Sequence, residues 1–376
     1  MEIEIREVLT KKELKKFVKF PLDLFKGNEF YVPQLNRDEL ETFTKGKNPA
    51  FDVCEGKLFL AYKNGEVAGR IVAILNNPEN DKYKTKHLRF GWFDCINDFE
   101  VASTLFRAVE NWGKKLGMDT ITGPHGFCDL DPQGLLVEGF DKLPTIASYY
   151  HYPYYKDLVE KYGFEKEIDF VEFQSTPPYD TGIPEKLLKT TEWIKNRYNY
   201  RIADYDSMKE YKKHGKELFS LLEDTFSENF GTVPLTEKQV DYYIKKYISF
   251  INKDLVKFVF NEKNEMVGFM VTMPSLSKAF QKAKGKLYPF GIFHLLKGLK
   301  TYDIIDFLFA GVKKEYRGKG VDTVMILEIV KSAMKLGFKH AESNQELEDN
   351  TKVQAEWKFF NPVMHKRRRI YKKKIL

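Results

Sequence analysis

A short loop rich in glycine and basic residues carries the clearest chemistry in this sequence. Residues 312–322 read VKKEYRGKGVD and lie directly after a predicted strand and directly before a predicted helix. Gly318 and Gly320 allow a sharp turn that presents consecutive N–H groups, and the helix N-terminus adds about half a positive charge. Arg317 and Lys319 add mobile cations at the rim. These features predict an anion cradle suited to a pyrophosphate. The alternative is an ordinary strand-to-helix loop with basic surface residues.

The elements around this loop occur twice in the chain, each time in the order hairpin, strand, helix, strand. Both hairpins are two apolar runs around a polar turn, and both helices carry apolar residues at helical spacing and end at Lys-Leu-Gly. The pattern predicts a tandem repeat. The four elements of the first copy are residues 58–75, 88–95, 101–118 and 120–123, and those of the second are 255–273, 303–312, 321–338 and 339–347.

Two further segments bear on the domain organisation. Residues 174–183 read QSTPPYDTGI, a composition typical of a domain boundary. We therefore expect one domain at 1–175 and another at 199–376, joined by a linker at 176–198. The second copy is longer between its hairpin and its helix, and the extra length falls on residues 277–300. This basic, partly amphipathic stretch is a lid, a membrane-touching helix or a packing insert.

The first copy lacks the cradle. At the corresponding place residues 95–101 read CINDFEV, with no glycine and with two acidic residues. We expect Asn97 or Asp98 to cap the following helix, and we expect the two acidic residues to repel an anion. The first half is thus predicted to be a degenerate copy that keeps the architecture. Its tyrosines either wall an acceptor pocket or pack in an interface; they are Tyr149, Tyr150, Tyr152, Tyr154 and Tyr155.

The strand, the sequence VKKEYRGKGV and the helix, with a hairpin upstream and Glu-Asp-Asn downstream, resemble the GNAT N-acetyltransferase superfamily. The resemblance covers about residues 200–375 and, more faintly, residues 2–173. It implies an α/β (α+β) fold of two tandem acyl-CoA N-acyltransferase-like domains, each a mixed, mostly antiparallel sheet flanked by helices.

The resemblance also implies a reaction and its co-substrate. Acetyl-CoA or another acyl-CoA would pass its acyl group to a small-molecule or peptide amine in a cleft between the domains. The loop would hold the pyrophosphate, and the preceding strand end would pair with the pantetheine arm. The residues expected to bind the co-substrate are Ala310, Val312, Arg317, Gly318, Lys319, Gly320, Val321, Asp322 and Asn350.

Two carboxylates are the candidates for catalysis. Asp306 matches the position of a glutamate that serves as the base in histone-type members of the family. Asp303 and Asp306 lie in a strand of Ile, Phe and Leu, where desolvation raises the pKa of a carboxyl and suits it to deprotonate an amine. The alternative is that they mark an exposed strand start or pair with a lysine. Glu346, on the following strand, is the second candidate, for positioning the amine or a relay water.

Three departures from the family pattern stand out. Asp322 stands where the family usually has Gly or Ala, and Trp357 stands where it tends to have the tyrosine that protonates the departing thiolate. Asn361-Pro362 replaces the glycine that is usual four residues beyond that tyrosine. Indole cannot donate a proton in acid catalysis. Two other functions therefore remain open. One is a non-catalytic or regulatory acyl-CoA-binding protein, and the other is a transferase that uses a long-chain acyl-CoA or an aminoacyl-tRNA.

Charge and composition narrow the remaining classes. The chain has 61 basic and 54 acidic residues, and residues 366–374 alone hold seven of the basic ones. A chain-wide basic surface for nucleic acid is therefore not indicated, and we expect the basic C-terminal run to be an edge strand protected by its lysines. His125 has no partner histidine at metal-ligand spacing, so no metal site is predicted. The 3 cysteines are widely spaced. With no apolar leader and no membrane span, we expect a soluble, cytoplasmic protein.

Overall fold

The computed structural model describes residues 2–247, 252–351, 354 and 357–375. The chain divides into two compact units that are not contiguous in sequence. Unit 1 comprises Met1–Val171, Leu276–Leu296 and His365–Leu376, and unit 2 comprises Glu172–Ser275 and Lys297–Met364. An internal stretch and the C-terminal end of the second repeat thus pack with the first.

Unit 1 is a mixed sheet with helices against it. Its strands are β1 (Ile3–Glu7), β2 (Cys54–Lys63), β3 (Glu66–Asn76), β4 (His87–Cys95), β5 (Thr120–Gly123), β6 (Leu135–Glu138), β7 (Glu165–Ser175) up to Val171, and the C-terminal β14 (Val363–Lys374) from His365. The order is β1-β2-β3-β4-β5-β14-β7, with β6 paired to β14. The helices are α1 (Lys11–Leu24), α2 (Asn36–Thr42), α3 (Asn77–Tyr83), α4 (Phe99–Lys115), α5 (Tyr154–Lys161), α10 (Ser277–Ala283) and most of α11 (Gly291–Gly298).

Local sequence explains why these elements begin where they do. Thr10 caps α1 in a capping box with Glu13, and the Asp98 side chain caps α4 by accepting from the N–H groups of Glu100 and Val101. The apolar face of α4, with Leu105 and other side chains, packs into a fully buried core on the sheet. The predicted hairpin, strands and helix of the first copy and the predicted Asp98 cap are confirmed.

Unit 2 repeats the arrangement. Its elements are α6 (Glu185–Tyr198), β8 (Arg201–Ile202), α7 (Met208–Lys213), α8 (Gly215–Phe226), α9 (Glu237–Tyr247), β9 (Val256–Phe260), β10 (Met266–Pro274), β11 (Ile304–Val312), α12 (Val321–Leu336), β12 (His340–Glu342) and β13 (Glu346–Leu347). The sheet order is β7-β12-β11-β10-β9-β8, where β7 contributes its C-terminal end and also pairs with β13. Only β11 and β12 are parallel among the pairs described for this unit. The stretch 176–198, predicted to be a linker, contains α6, which packs against α12.

The C-terminal basic run is an interior strand, so the prediction of an edge strand was wrong. β14 lies between β5 and β7, and both Lys366 and Arg368 are fully buried. Lys366 Nζ donates to the carbonyl of Leu143 at 3.3 Å, and Arg368 donates to the carbonyl of Tyr149 at 2.5 Å. The periodic signal of the strand was correct, but nothing local to the run indicates that neighbours flank it on both sides.

A buried carboxylate neutralises part of this strand. The side chain of Asp169 on β7 is 1% exposed, and it accepts from Arg369 at 2.8 and 3.0 Å and from Arg367 at 3.3 Å. Burial alone would raise the pKa of Asp169, but the hydrogen bonds from Arg369 and Lys166 outweigh it and hold the pKa below its ordinary value. The ion pairs therefore stabilise unit 1 while Asp169 is ionised.

We predict that Asp169→Ala lowers the free energy of unfolding by about 3 kcal/mol at pH 7, because it leaves guanidinium groups without their buried partner. A carboxyl whose pKa is lower in the folded state stabilises the protein at pH values above its unfolded pKa of about 4. This stabilisation is lost as the pH falls through the folded pKa. In denaturant titrations, the difference in the free energy of unfolding between wild type and variant should therefore shrink from pH 7 to pH 3. Asp141→Ala is the control, since Asp141 forms an exposed pair with Lys142. A gap independent of pH would contradict the assignment.

Candidate functional site

In unit 2 the two parallel strands separate next to the predicted loop. β11 and β12 pair over three residues, from Ile304 to Asp306. β11 then continues for six residues to Val312, still paired with β10 on its other side. Ala310 on this extension is exposed. The residues predicted to pair with a pantetheine arm therefore lie on the part of β11 beyond its ladder with β12.

The loop that follows has the geometry expected of an anion cradle. After a short 3₁₀ turn at Lys314–Tyr316, Gly318 and Gly320 both adopt positive φ, at 71° and 78°. Gly320 precedes the first residue of α12 directly, so the first N–H groups of the helix face the loop. A Cβ at Gly318 would meet no atom within 4 Å, whereas a Cβ at Gly320 would lie 2.5 Å from Ile194 Cδ1. Gly318 is thus open to a ligand, and Gly320 is also required for packing.

The cations of the loop are held near it by an acidic side chain. Lys314 Nζ lies 2.9 Å from Glu228 Oε1, and Arg317 lies 3.4 Å from Glu228 Oε2. Arg317 also donates to the carbonyl of Thr225 at 3.3 Å. The Lys319 ammonium lies over the Tyr316 ring at 5.1 Å from its centroid. Because all of these groups are at the surface, a phosphate can compete with Glu228 for them.

Asp322, the departure from the family pattern, turns toward its own helix. Its Oδ1 accepts from the Thr323 N–H at 2.8 Å. Val321 beside it is fully buried in the core, where it packs against β10 near Gly268. The Val321 side chain therefore anchors the start of α12, and the Asp322 carboxylate stabilises the first turn rather than projecting from it.

The environment of the Glu346 carboxyl raises its pKa. Its Oε1 accepts from the Trp357 indole N–H at 2.6 Å, and its buried Oε2 has no hydrogen-bond partner among the described residues. Burial raises the pKa of Glu346 to about 7, and the indole bond offsets this only in part. Trp357 packs edge-on against Phe307, the first residue of β11 beyond the β12 ladder, with ring centroids 4.9 Å apart. Glu346 is thus connected through Trp357 to the point where the strands separate.

The other predicted site residues lie at different depths. Asp306 is fully buried on β11, in register with Glu342 on β12. Asp303, by contrast, forms an exposed ion pair with Lys339 at 3.0 Å, which is the alternative considered for it from the sequence. The Asn350 N–H donates to the carbonyl of Leu347 at 3.0 Å, in the turn that follows β13. The catalytic and binding roles of these residues remain predictions.

Unit 1 fills the corresponding places with its own groups. Asp98 caps α4 and pairs with Lys63 where the cradle would be. β4 also extends beyond β5, its parallel neighbour, but here the His125 N–H donates to the Phe90 carbonyl at 2.7 Å. Further along β4, the Cys95 carbonyl accepts from Tyr154 Oη at 2.8 Å and the Cys95 N–H donates to Tyr155 Oη at 3.3 Å. The predicted absence of a cradle in this copy agrees with these contacts.

Unit 1 instead holds a small pocket that is lined in part by a buried polar cluster. Arg70 on β3 donates to Asp94 Oδ2 at 2.8 Å and to Glu39 Oε2 at 3.4 Å. Glu39 also accepts a hydrogen bond from the Tyr149 hydroxyl at 2.8 Å. The Tyr149 hydroxyl in turn accepts from the Trp92 indole N–H at 2.7 Å. One guanidinium thus faces two carboxylates, an arrangement that favours a cationic ligand over an anionic one.

The residues of this cluster were missed in the sequence, with one exception. Tyr149 and Tyr150 line this pocket, and their role as the wall of an acceptor site stays a prediction. Tyr152 and Tyr154 stack in the aromatic core instead, 5.5 Å apart. Arg70 is a lone charge inside the apolar strand AGRIVAIL. A charged residue in the middle of such a strand is the signal that points to a buried cluster.

The described part of the chain contains neither a cluster of metal ligands nor a helix that could span a membrane. No group of three or more His, Cys, Asp or Glu side chains there is placed to hold a metal ion. No helix in that part is long and apolar enough to cross a membrane.

Comparison with known proteins extends over the whole chain. No family model matches it. It is 27% identical over 380 residues to Protein YghO of Escherichia coli (strain K12), covering 99% of this chain and 95% of that protein. It is 29% identical over 384 residues to the bacterial ceramide synthase of Caulobacter vibrioides (strain NA1000 / CB15N), covering 99% of this chain and 97% of that protein.

Among solved structures, a tandem GNAT protein from the clavulanic acid biosynthesis pathway, without acetyl-CoA, matches with a TM-score of 0.57. The alignment covers 100% of this chain and 99% of that chain at 11% identity. An identity this low reports on the fold alone. Together with the repeated mixed, mostly antiparallel sheets flanked by helices, it shows that the chain has the tandem GNAT fold.

Proposed function

We propose that this protein is an acyl-CoA-dependent N-acyltransferase whose acceptor is the amine of a long-chain amino alcohol. The observation that carries the proposal is the exposed double-glycine loop between the extension of β11 and the start of α12, together with the Glu346–Trp357 pair that packs against Phe307 at the beginning of that extension. The acceptor class is suggested by the full-length similarity to a ceramide synthase, because a ceramide is the N-acyl derivative of a long-chain amino alcohol.

The residues divide the work of binding as follows. The backbone N–H groups around Gly318 and Gly320 hold the pyrophosphate, and Arg317 and Lys319 neutralise its charge. The pantetheine arm extends along residues 310–312 of β11 as an added strand would. Acyl-CoA is a substrate here, and acetyl and longer acyl chains fit this binding mode equally.

The chemical step is the attack of a neutral amine on the thioester. The amine nitrogen forms a bond to the carbonyl carbon, the C–S bond breaks, and the nitrogen loses a proton. Glu346 accepts that proton, since its pKa of about 7 keeps it basic enough to act and partly ionised near neutrality. A free alkyl thiol of the cysteine type has a pKa of about 8.5, so the thiolate can leave without a protein acid, which is consistent with Trp357 at that position. Asp306 is the second candidate for the base.

A regulatory acyl-CoA-binding protein is the alternative, and the geometry around Trp357 disfavours it. The indole replaces a general acid, but it also orients Glu346 through a hydrogen bond of 2.6 Å. A buried carboxyl with an elevated pKa is common in catalytic sites, which favours the enzyme over the binding protein.

We predict that Gly318→Val lowers the affinity for CoA at least about tenfold, because the new side chain projects into the space where the pyrophosphate approaches. Forcing a β-branched residue to positive φ also costs about 1–2 kcal/mol of stability. Isothermal titration calorimetry measures the affinity, and denaturant titration measures the strain. Gly320→Val is a poorer choice, since the contact with Ile194 would disturb the core.

Gly337→Val is the matched control for this measurement. Gly337 ends the same helix at φ 82°, and a Cβ there would also meet no atom within 4 Å. The control should lose similar stability and keep its CoA affinity. Equal CoA affinity in wild type and Gly318→Val would place the co-substrate elsewhere.

We predict that the protein, given a long-chain acyl-CoA and a long-chain amino alcohol, releases thiol and forms the amide, and that Glu346→Gln lowers kcat/KM about 100-fold or more. Glutamine keeps an oxygen that accepts from Trp357 but cannot take a proton at neutral pH. In the wild type, log kcat/KM should rise with pH up to a bend near pH 7 as Glu346 ionises, and the variant should lack that bend. Thiol release and mass spectrometry of the amide provide the two readouts.

Glu328→Gln serves as the control, because Glu328 pairs with Lys331 on the surface of α12. It should leave the pH profile unchanged. CoA binding without amide formation from any of a broad panel of amines would support the regulatory alternative. An unchanged pH profile in Glu346→Gln would transfer the role of base to Asp306.

A further inference from the structure

The insert predicted at 277–300 exposes an unusual number of large apolar side chains. Tyr288, Phe290, Phe293 and Leu296 lie within nine residues and are 67%, 72%, 65% and 53% exposed. Single apolar residues at a surface are ordinary, but a cluster of this size indicates an interaction site. The cluster and the lysines around it are called the insert patch below.

The opposite face of the insert is anchored in unit 1. Phe280 of α10 and Leu295 of α11 are buried. Ser277 Oγ donates to the Pro144 carbonyl at 2.6 Å, and Gln281 Nε2 donates to the Glu29 carbonyl at 2.7 Å. The insert patch is therefore presented on a fixed base, and its exposure is a property of the folded unit.

The charged residues around the insert patch are all positive. Lys278, Lys282, Lys284 and Lys286 are exposed on the segment that leads into the aromatic cluster. From Ser277 the sequence has no acidic residue before Asp303. Aromatic side chains flanked by lysines match the two layers of an anionic bilayer surface, where rings enter the acyl boundary and ammonium groups stay with the headgroups.

We propose that the insert patch docks unit 1 onto an anionic phospholipid surface. The phenylalanines enter the interface as wedges, and the lysines contact lipid phosphates. Charge complementarity favours this occupant over a protein partner, since a protein interface is usually depleted of lysine. The docking requires no membrane-spanning segment, and it does not rest on the proposed acyl transfer.

The insert patch lies next to the unit 1 pocket. The Asn36 N–H donates to the Gly285 carbonyl at 2.8 Å, and Gly285 also approaches Leu22. Asn36 and Leu22 both line the unit 1 pocket, whose polar cluster favours a cation. A lipid-derived amine in the bilayer would thus meet the pocket directly beside the docking surface.

The test is co-sedimentation of the full-length protein with phosphatidylcholine vesicles, with and without phosphatidylglycerol. Wild-type protein should bind the anionic vesicles, and added salt should weaken the binding. Phe290→Ser/Phe293→Ser should lower the partition coefficient at least about tenfold. Lys282→Glu/Lys286→Glu should lower it at least about 30-fold. Lys284 is left unchanged because its φ of 48° makes substitution there a backbone change as well.

Two matched controls separate the patch from general surface properties. Leu188→Ser/Trp193→Ser removes two exposed apolar side chains of α6, and Lys212→Glu/Lys213→Glu reverses two lysines in the last turn of α7. Both should bind vesicles as wild type does, and thermal melts should show that all four variants are folded. Failure of the wild type to bind anionic vesicles, or equal binding by patch variants and controls, would overturn the proposal. Self-association that only the patch variants abolish, without vesicle binding, would make the patch a protein interface instead.

Discussion

A strand that extends beyond its parallel neighbour must find other partners for its backbone N–H and C=O groups, and this constraint organises both units. Buried backbone groups are almost always paired, so the space where two parallel strands separate has to be filled by the chain or by a ligand. In unit 1 the chain fills it, with the N–H of His125 on Phe90 and the hydroxyls of Tyr154 and Tyr155 on Cys95. In unit 2 the Asn344 side chain donates to the Leu308 carbonyl, and the exposed strand end beyond it leads into the glycine loop.

The two copies of the fold differ at this place. Unit 2 has the elements on which the proposed CoA site depends, namely a strand end, positive-φ glycines and a helix N-terminus in sequence. Unit 1 replaces the glycines by a capping aspartate and places a buried ion cluster around Arg70 beneath its pocket. Such a cluster is expensive to bury and gives little net stability compared with apolar packing, so its retention is consistent with a role in binding.

Much of the fold could be predicted from the sequence, because the decisive signals were local. Apolar periodicity predicted both hairpins and both helices, with boundaries close to the observed ones. The order of these elements predicted the tandem arrangement. What could not be predicted depends on contacts between distant segments. The basic run at Arg367 and Arg369 gives no local indication of Asp169, and Arg70 and Glu39, which are 31 residues apart, form a pair only after folding. Glu346 was predicted as a site residue, but its bond to Trp357 depends on a turn whose course the sequence does not reveal.

The central claim is that one unit alone takes acyl-CoA, and binding stoichiometry tests it most directly. Full-length protein would be titrated calorimetrically with a thioether analogue of an acyl-CoA, which cannot transfer its acyl group. The account predicts one analogue bound per chain. Two bound analogues per chain would show that unit 1 also binds the co-substrate despite Asp98, Tyr154 and Tyr155. No binding at all would contradict the proposal that acyl-CoA is a substrate.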